Sequence, residues 1–242
     1  AASLTHELKN HLVPIRTLFE LLPEEFSDPD FQKLSRIAID GIDLMTKRIS
    51  EFQNLADSTP PKLSPVDPIA ALEATLLLMS AKLVRQQVEV VQTHAPNLPR
   101  VKADASQLKQ VFLNLLLNSS EAMEGPGEIR LESFVVPGAF IHQGEPFAPH
   151  PRLPEGAKDK RDESLFENMV GISISDTGCG IPDENLKKIF ELFFTTKEHG
   201  TGLGLPTCKR IIESFKGKLE VQNNKGGKGV TITIYLPIPT ND

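Results

Sequence analysis

Tryptophan is absent from the 242-residue chain and tyrosine occurs once, so stacking platforms for single-stranded nucleic acid are not expected, although 13 phenylalanines remain. There is no positive excess either: 26 Lys and Arg stand against 32 Asp and Glu, a net charge of −6. Duplex binding usually needs a basic excess or a basic patch, and with neither in view nucleic acid is not an expected partner. Cysteine is scarce. Cys179 and Cys208 cannot staple a chain of this size, and a reducing cytoplasm is their simplest setting. Long apolar runs are missing too. Leu76-Leu77-Leu78-Met79 and Val111-Phe112-Leu113 are soon interrupted, far short of the ~18 residues of a membrane span. No signal peptide opens the chain, since Glu7, Lys9 and Asn10 follow Ala1-Ala2-Ser3 almost at once. These residues are therefore not expected to touch a membrane. What remains, 39% hydrophobic and 24% charged, is globular composition, neither disordered nor fibrous. The length suits one large domain or two unequal ones.

Residues 1–57 read as a helical hairpin. Leu4, Leu8, Leu12, Ile15, Leu18 and Leu22 recur at helical spacing. Pro23 and the following acidic stretch end that helix. Asp28 then caps a second one with Pro29 at its first position. Phe31, Ala38, Met45 and Phe52 repeat as a heptad, with Leu34, Ile42, Ile49 and Leu55 between them. Such a seam asks for another helix pair, which predicts a homodimeric four-helix bundle. The first helix, about 20 residues against about 28, is roughly 12 Å the shorter at 1.5 Å per residue. It reads as cut short just before His6, with a sensor and an anchor expected upstream. Residues 58–65, with three prolines, form a linker. Residues 66–242 mix helices (69–84, 105–123, 203–215) with strands (88–93, 129–136, 170–176, 219–222, 230–236) outside strict βαβ order. That pattern predicts a mixed, largely antiparallel sheet under helices, a two-layer α+β sandwich. Residues 137–163, rich in proline, read as a mobile hairpin insertion.

Three patterns in the second part carry chemistry. Asp176-Thr177-Gly178-Cys179-Gly180 sets an acid at a strand end ahead of alternate glycines. An ionised carboxylate only accepts hydrogen bonds, which suits an exocyclic amine such as that of adenine; Asp and Gly are equally common in plain turns. Gly200-Thr201-Gly202-Leu203-Gly204-Leu205 opens a helix, where freed backbone N–H groups can take phosphate. It is neither a Walker A loop nor the dinucleotide fingerprint. Asn114 and Asn118 share one face of an otherwise apolar helix. Amide oxygens suit magnesium, and burying two amides without partners would be costly, so a ligand is favoured over a pair of core amides. Near the start, His6 of Ser3-Leu4-Thr5-His6-Glu7-Leu8-Lys9-Asn10 lies about 200° around its helix from Leu4 and Leu8 and projects to solvent. An exposed neutral imidazole can attack phosphorus, with Glu7 placed to assist and Asn10 one turn on.

In this order the motifs resemble the catalytic core of sensor histidine kinases, with their H, N, G1, F and G2 boxes. The resemblance covers nearly the whole chain, from residue 3 to about 237. The ATP-binding part would then have the Bergerat fold shared with gyrase, Hsp90 and MutL. The resemblance implies a two-component system in which ATP phosphorylates His6 with help from Glu7. The phosphoryl group then passes to an aspartate of a response regulator, the expected partner. It further implies that Asn10 serves dephosphorylation of that partner, that Asn118 holds Mg2+ and that Asn114 lies beside the phosphates of ATP. Asp176 would read adenine in a pocket shaped by Gly178 and Gly180. Residues from about 181 to 201 would form a lid carrying Thr196 and Lys197. Hydrolases of the superfamily carry a general-base Glu at the position of Asn114. Asn cannot take a proton from water, so transfer to a protein nucleophile is favoured. Glu121-Ala122-Met123, Phe193-Phe194-Thr195-Thr196-Lys197 and Pro14 resemble the nitrogen-regulation-type branch. His11 and Leu192 depart from it, each standing where proline is usual. The alternatives are a net phosphatase of the regulator and a scaffold that binds ATP without transferring phosphate.

Overall fold

The structure is a computed structural model that describes residues 11–21, 28–56, 60–123, 125–140, 166–197, 200–226 and 228–239. The chain divides into two compact units, Ala1–Pro60 with Leu192–Thr207, and Pro61–Glu191 with Cys208–Asp242.

In the first unit residues 11–21 are helical (α1) and α2 spans Pro29–Ala56. The predicted cap of α2 is present: Asp28 Oδ1 accepts from Asp30 N at 2.9 Å, and the Asp28 carbonyl takes the first helical bond, from Gln32 N at 3.0 Å. Arg16 ties the two helices, with its Nε 2.8 Å from Asp43 Oδ1 and a second contact to Glu20, one turn along α1. The predicted single seam of α2 is resolved into two faces. Ser35 and Ile42 are buried, whereas Leu34, Ile37 and Met45 form an exposed apolar stripe. Val13, Ile15, Leu18 and Leu21 are likewise exposed on α1. The difference is geometric: a heptad pattern marks apolar positions but does not say which of them a neighbouring helix covers.

The second unit is built on a five-stranded sheet of order β2-β4-β5-β7-β6. Its strands are β2 (Val88–His94), β4 (Gly127–Phe140), β5 (Phe166–Asp176), β6 (Lys218–Asn223) and β7 (Val230–Pro237). β2 runs parallel to β4 and every other pairing is antiparallel, the mixed sheet that the sequence predicts. Leu131, Ile174 and Ile232 lie in register on one face, joined by Ile129, Ile172 and Ile234, and all are buried. Helices α3 (Pro68–Arg85) and α4 (Ala105–Glu121) pack on each other, and α4 packs against β5. α4 brings Val111, Phe112, Leu115 and Leu116 to this core, and α6 (Gly204–Ser214) brings Cys208, Ile211 and Ile212 from its second-unit residues. Burying the four α4 side chains contributes about 1.5–3 kcal/mol each. A single turn, α5 (Asp183–Leu186), follows the glycine loop.

Both long helices start as their sequences require. Asp67 Oδ1 accepts from Ile69 N and Ala70 N ahead of Pro68, and Asp104 Oδ1 accepts from Ser106 N and Gln107 N. Asp104 also reaches back to Lys62 N at 3.0 Å. Burial pushes its carboxyl pKa up, but hydrogen bonds from the Ser106 hydroxyl and from the Lys62, Gln107 and Ser106 amides outweigh it and hold it low. At the end of the stretch predicted as linker, 58–65, and running one residue past it, Ser64–Val66 form a short strand, β1, paired with β3 (Val101–Ala103).

β4 and β5 extend as a long antiparallel ribbon to Ala139–Glu167 and Phe140–Phe166, with a bulge after Val136. The remainder of the predicted insertion lies outside the described residues. On the ribbon's outer face the Phe134 ring covers Gly171, within 2.6 Å of where a Cβ would stand. The same ring packs edge-on against Tyr235 at 6.5 Å. The Tyr235 hydroxyl donates to Glu220 at 3.3 Å.

Candidate functional site

Asp176 ends β5, the central strand of the sheet, and is only 4% exposed. A carboxylate this deep needs partners. Its Oδ1 has two: Gly178 N at 2.9 Å and Val230 N at 3.2 Å. Both bonds use the same oxygen, which leaves Oδ2 for an outside donor.

The loop after Asp176 is moulded on the end of α4. Cys179 N donates to the Ala122 carbonyl at 3.1 Å. A Cβ at Gly178 would stand 2.7 Å from the Ala122 Cβ and 2.8 Å from its carbonyl oxygen, so only glycine fits. Gly180 has a φ of 78°, a conformation open to glycine. Thr177 adds a two-way link to β4, its N donating to the Glu128 carbonyl and its Oγ1 accepting from Glu128 N. Asn118 lies one turn before Ala122, whose N donates to the Asn118 carbonyl at 3.0 Å. The second unit thus brings Asn118, Asp176, Gly178 and Gly180 together around one helix end.

Asn114 lies one turn further back and is half-buried. Its side chain lies beside the buried Cys208, whose Sγ donates to the Val111 carbonyl at 3.9 Å, a neighbour that the spacing of the two asparagines did not foresee. Burial pushes the Cys208 thiol up from its ordinary value of 9.0 to about 12, against the lowering effect of Asn114 and of the Cys208 backbone. Because the folded pKa is the higher, the native state keeps its proton while the unfolded chain ionises. Stability is then fully present below pH 9 and falls above it, by up to ~1.4 kcal/mol per pH unit until the folded thiol titrates. Denaturant melts at pH 8, 9 and 10 should register this loss, and a Cys208→Ala variant should lose less between them. Cys179, by contrast, is exposed.

In the other unit, Thr196 and Lys197 are exposed, and Gly200, Thr201, Gly202, Gly204 and Leu205 are half-buried around a buried Leu203. This segment closes on itself through Phe193 N and the Gly202 carbonyl at 3.1 Å. Gly202 is left-handed at φ 66°, and a Cβ there would come within 2.7 Å of the Phe193 backbone. Leu203 precedes α6, so the glycines stand at that helix's amino end as predicted. His6, Glu7 and Asn10 lie outside the described residues.

Four groups about Asp176 have no counterpart in the sequence motifs: Asn223, Asn224, Gly229 and the Val230 amide. Asn and Gly beyond a strand look like any turn, and a backbone amide carries no sequence signal at all.

Residues 103–240 match the model of the histidine kinase-, DNA gyrase B-, and HSP90-like ATPases, and the chain belongs to that family. Within it the chain is similar to sensor histidine kinases. It is 31% identical to the signal transduction histidine-protein kinase AtoS of Escherichia coli, over 98% of this chain and 34% of that protein. It is also 31% identical to the sensory histidine kinase/phosphatase NtrB of Rhodobacter capsulatus, over 98% of this chain and 61% of that one. The chain therefore spans between about a third and three-fifths of the length of these two relatives. Among solved structures, full-length ShkA in complex with AMPPNP superimposes with a TM-score of 0.72 at 22% identity, covering 99% of this chain and 46% of that one. The likeness supports the predicted α+β ATPase fold.

Proposed function

We propose that this chain is the catalytic core of a homodimeric sensor histidine kinase that phosphorylates itself on His6 from Mg-ATP and passes the phosphoryl group to a response-regulator aspartate. The observation that carries the ATP part is Asp176: a buried carboxylate with one oxygen held by two backbone N–H groups and the other available to an exocyclic amine. Membership of the ATPase family and the AMPPNP in ShkA support the same ligand.

In this proposal residues 1–57 form the dimerisation and phosphotransfer hairpin, 58–65 the linker and 66–242 the ATP-binding domain, working in the cytoplasm. The exposed stripe of Leu34, Ile37 and Met45, with Val13, Ile15, Leu18 and Leu21, supports a four-helix bundle with a second copy. Gly178 and Gly180 give the base room against α4. Gly200, Thr201, Gly202, Leu203, Gly204 and Leu205 offer backbone N–H groups to phosphate, and Thr196 and Lys197 offset its charge. The Asn118 amide is a hard donor suited to magnesium, with Asn114 beside it. Among the described residues no group of three or more His, Cys, Asp or Glu could hold a metal. A single amide fits a cation whose other ligands are substrate phosphates and water. Glu7 would take the His6 proton or hold its tautomer, and Asn10 would orient water at the phosphorylated regulator.

Incubation with γ-labelled ATP tests the proposal. The expected product is a protein-bound label that is lost in acid and survives alkali, the behaviour of a phosphoramidate. A label that resists acid, or none at all, would overturn it.

A further inference from the structure

The loop that aims Asp176 rests on the end of α4 through Gly178 and Cys179. A cavity of about 200 Å³ lies against it, lined by Glu128, Arg130, Ser175, Asp176, Thr177 and Asn224. The loop also holds two glycines, which lose more freedom on ordering than other residues do. Something beyond that contact has to fix its two ends.

The turn between β6 and β7 supplies it. Asn223, the last residue of β6, meets Ile181 with its whole carboxamide: Ile181 N donates to Asn223 Oδ1 at 2.9 Å, and Asn223 Nδ2 donates to the Ile181 carbonyl at 2.6 Å. One side chain thereby satisfies both polar groups of one peptide position, as a neighbouring strand would. Asn224 grips the other end, its Nδ2 donating to the Asp176 carbonyl at 2.8 Å. Asn224 is itself oriented by Thr231, whose hydroxyl donates to Oδ1 at 2.6 Å. Gly229, at φ 82°, leaves no room for a Cβ beside the Asp176 carbonyl. Val230 N then reaches the Asp176 carboxylate from the same turn.

We infer that the consecutive asparagines Asn223 and Asn224 are positioning residues of the nucleotide site, clamping the two ends of the Asp176–Ile181 loop so that the free carboxylate oxygen faces the base. The inference rests on the assignment of Asp176 to adenine. Its chemical content is that each position needs a carboxamide. Asparagine alone among short side chains carries a donor and an acceptor in one plane. Aspartate at 223 keeps the acceptor, loses the donor and sets a negative oxygen against the Ile181 carbonyl. A protonated aspartic acid restores both roles in the same shape.

Mg-ATP affinity of the whole chain, measured by calorimetry from pH 7.5 down to pH 5 for wild type, Asn223→Asp, Asn223→Ser and Asn224→Asp, tests this, with thermal melts without nucleotide alongside. At pH 7.5 both aspartate variants should bind at least ~10-fold more weakly than wild type, the cost of about 1.4 kcal/mol. Asn223→Ser, which can keep one of the two bonds, should fall between. For the aspartate variants the ratio to wild type at the same pH should shrink as the pH falls and the new carboxyl protonates. A merely structural role would leave that ratio flat with pH, or make it follow the melting temperature, and either result overturns the inference. So does unchanged affinity in the variants while the wild type binds ATP. A wild-type chain that does not bind ATP instead overturns the assignment of Asp176, and the inference falls with it.

Discussion

Asp176→Asn should bind ATP about 10- to 100-fold more weakly than the wild-type chain, since a hydrogen bond involving a charged group is worth about 1.5–3 kcal/mol. The substitution is nearly isosteric, so the loss reads out hydrogen-bond polarity and little else. In the native protein Oδ1 accepts from Gly178 N and Val230 N. An asparagine must choose. With its oxygen toward those two amides, its NH2 meets the exocyclic amine of the base, donor against donor. With the amide flipped, the NH2 faces two backbone N–H groups in a buried site and the loop is pushed off α4. Either way one buried donor is left unmatched. Calorimetric titration with Mg-ATP measures the effect. Affinity within twofold of wild type would mean that the carboxylate does not meet the base.

The second large effect is expected at His6. Removing a nucleophile that acts in concert with its partners typically costs ~10³-fold or more. His6→Gln should therefore abolish the acid-labile label. Glutamine keeps a polar side chain of similar reach but lacks the ring nitrogen that attacks phosphorus. The matched control is His11→Gln, which removes the other imidazole of the H box. His11 is exposed on α1, so access alone does not disqualify it; registration does, because Glu7 follows His6 directly and Asn10 lies one turn beyond. Label kept in the His11 variant and lost in the His6 variant supports the assignment. The opposite pattern would move the acceptor to His11.

Much of the fold was legible because its elements are long enough to show a period. α3, α4, β5 and β7 were predicted with ends within a few residues, each carrying three or more buried apolar residues, and β2 was predicted from its alternation. β1 and β3, of three residues each, and α5, of four, were missed because a period cannot be read from so few positions. Of the heptad predicted on α2, Ile42 is buried but Leu34 and Met45 are exposed, and Ser35, outside the pattern, is buried. A small polar residue between two helices carries no hydrophobic signal. At the site, Asp176, Gly178 and Asn118 could be picked out because their chemistry is local. The clamp at Asn223 and Asn224 could not, since its meaning depends on a partner 42 to 48 residues away. The Cys208 neighbour of Asn114 was hidden for the same reason.

Tyr235 has a practical consequence. With no tryptophan and a single tyrosine, the chain's emission, excited at wavelengths that phenylalanine does not absorb, comes from one ring. That ring sits on β7, edge-on to Phe134 and hydrogen-bonded to Glu220. Its light reports on the sheet of the second unit. The unfolding of that sheet can therefore be watched in the native chain and without a label.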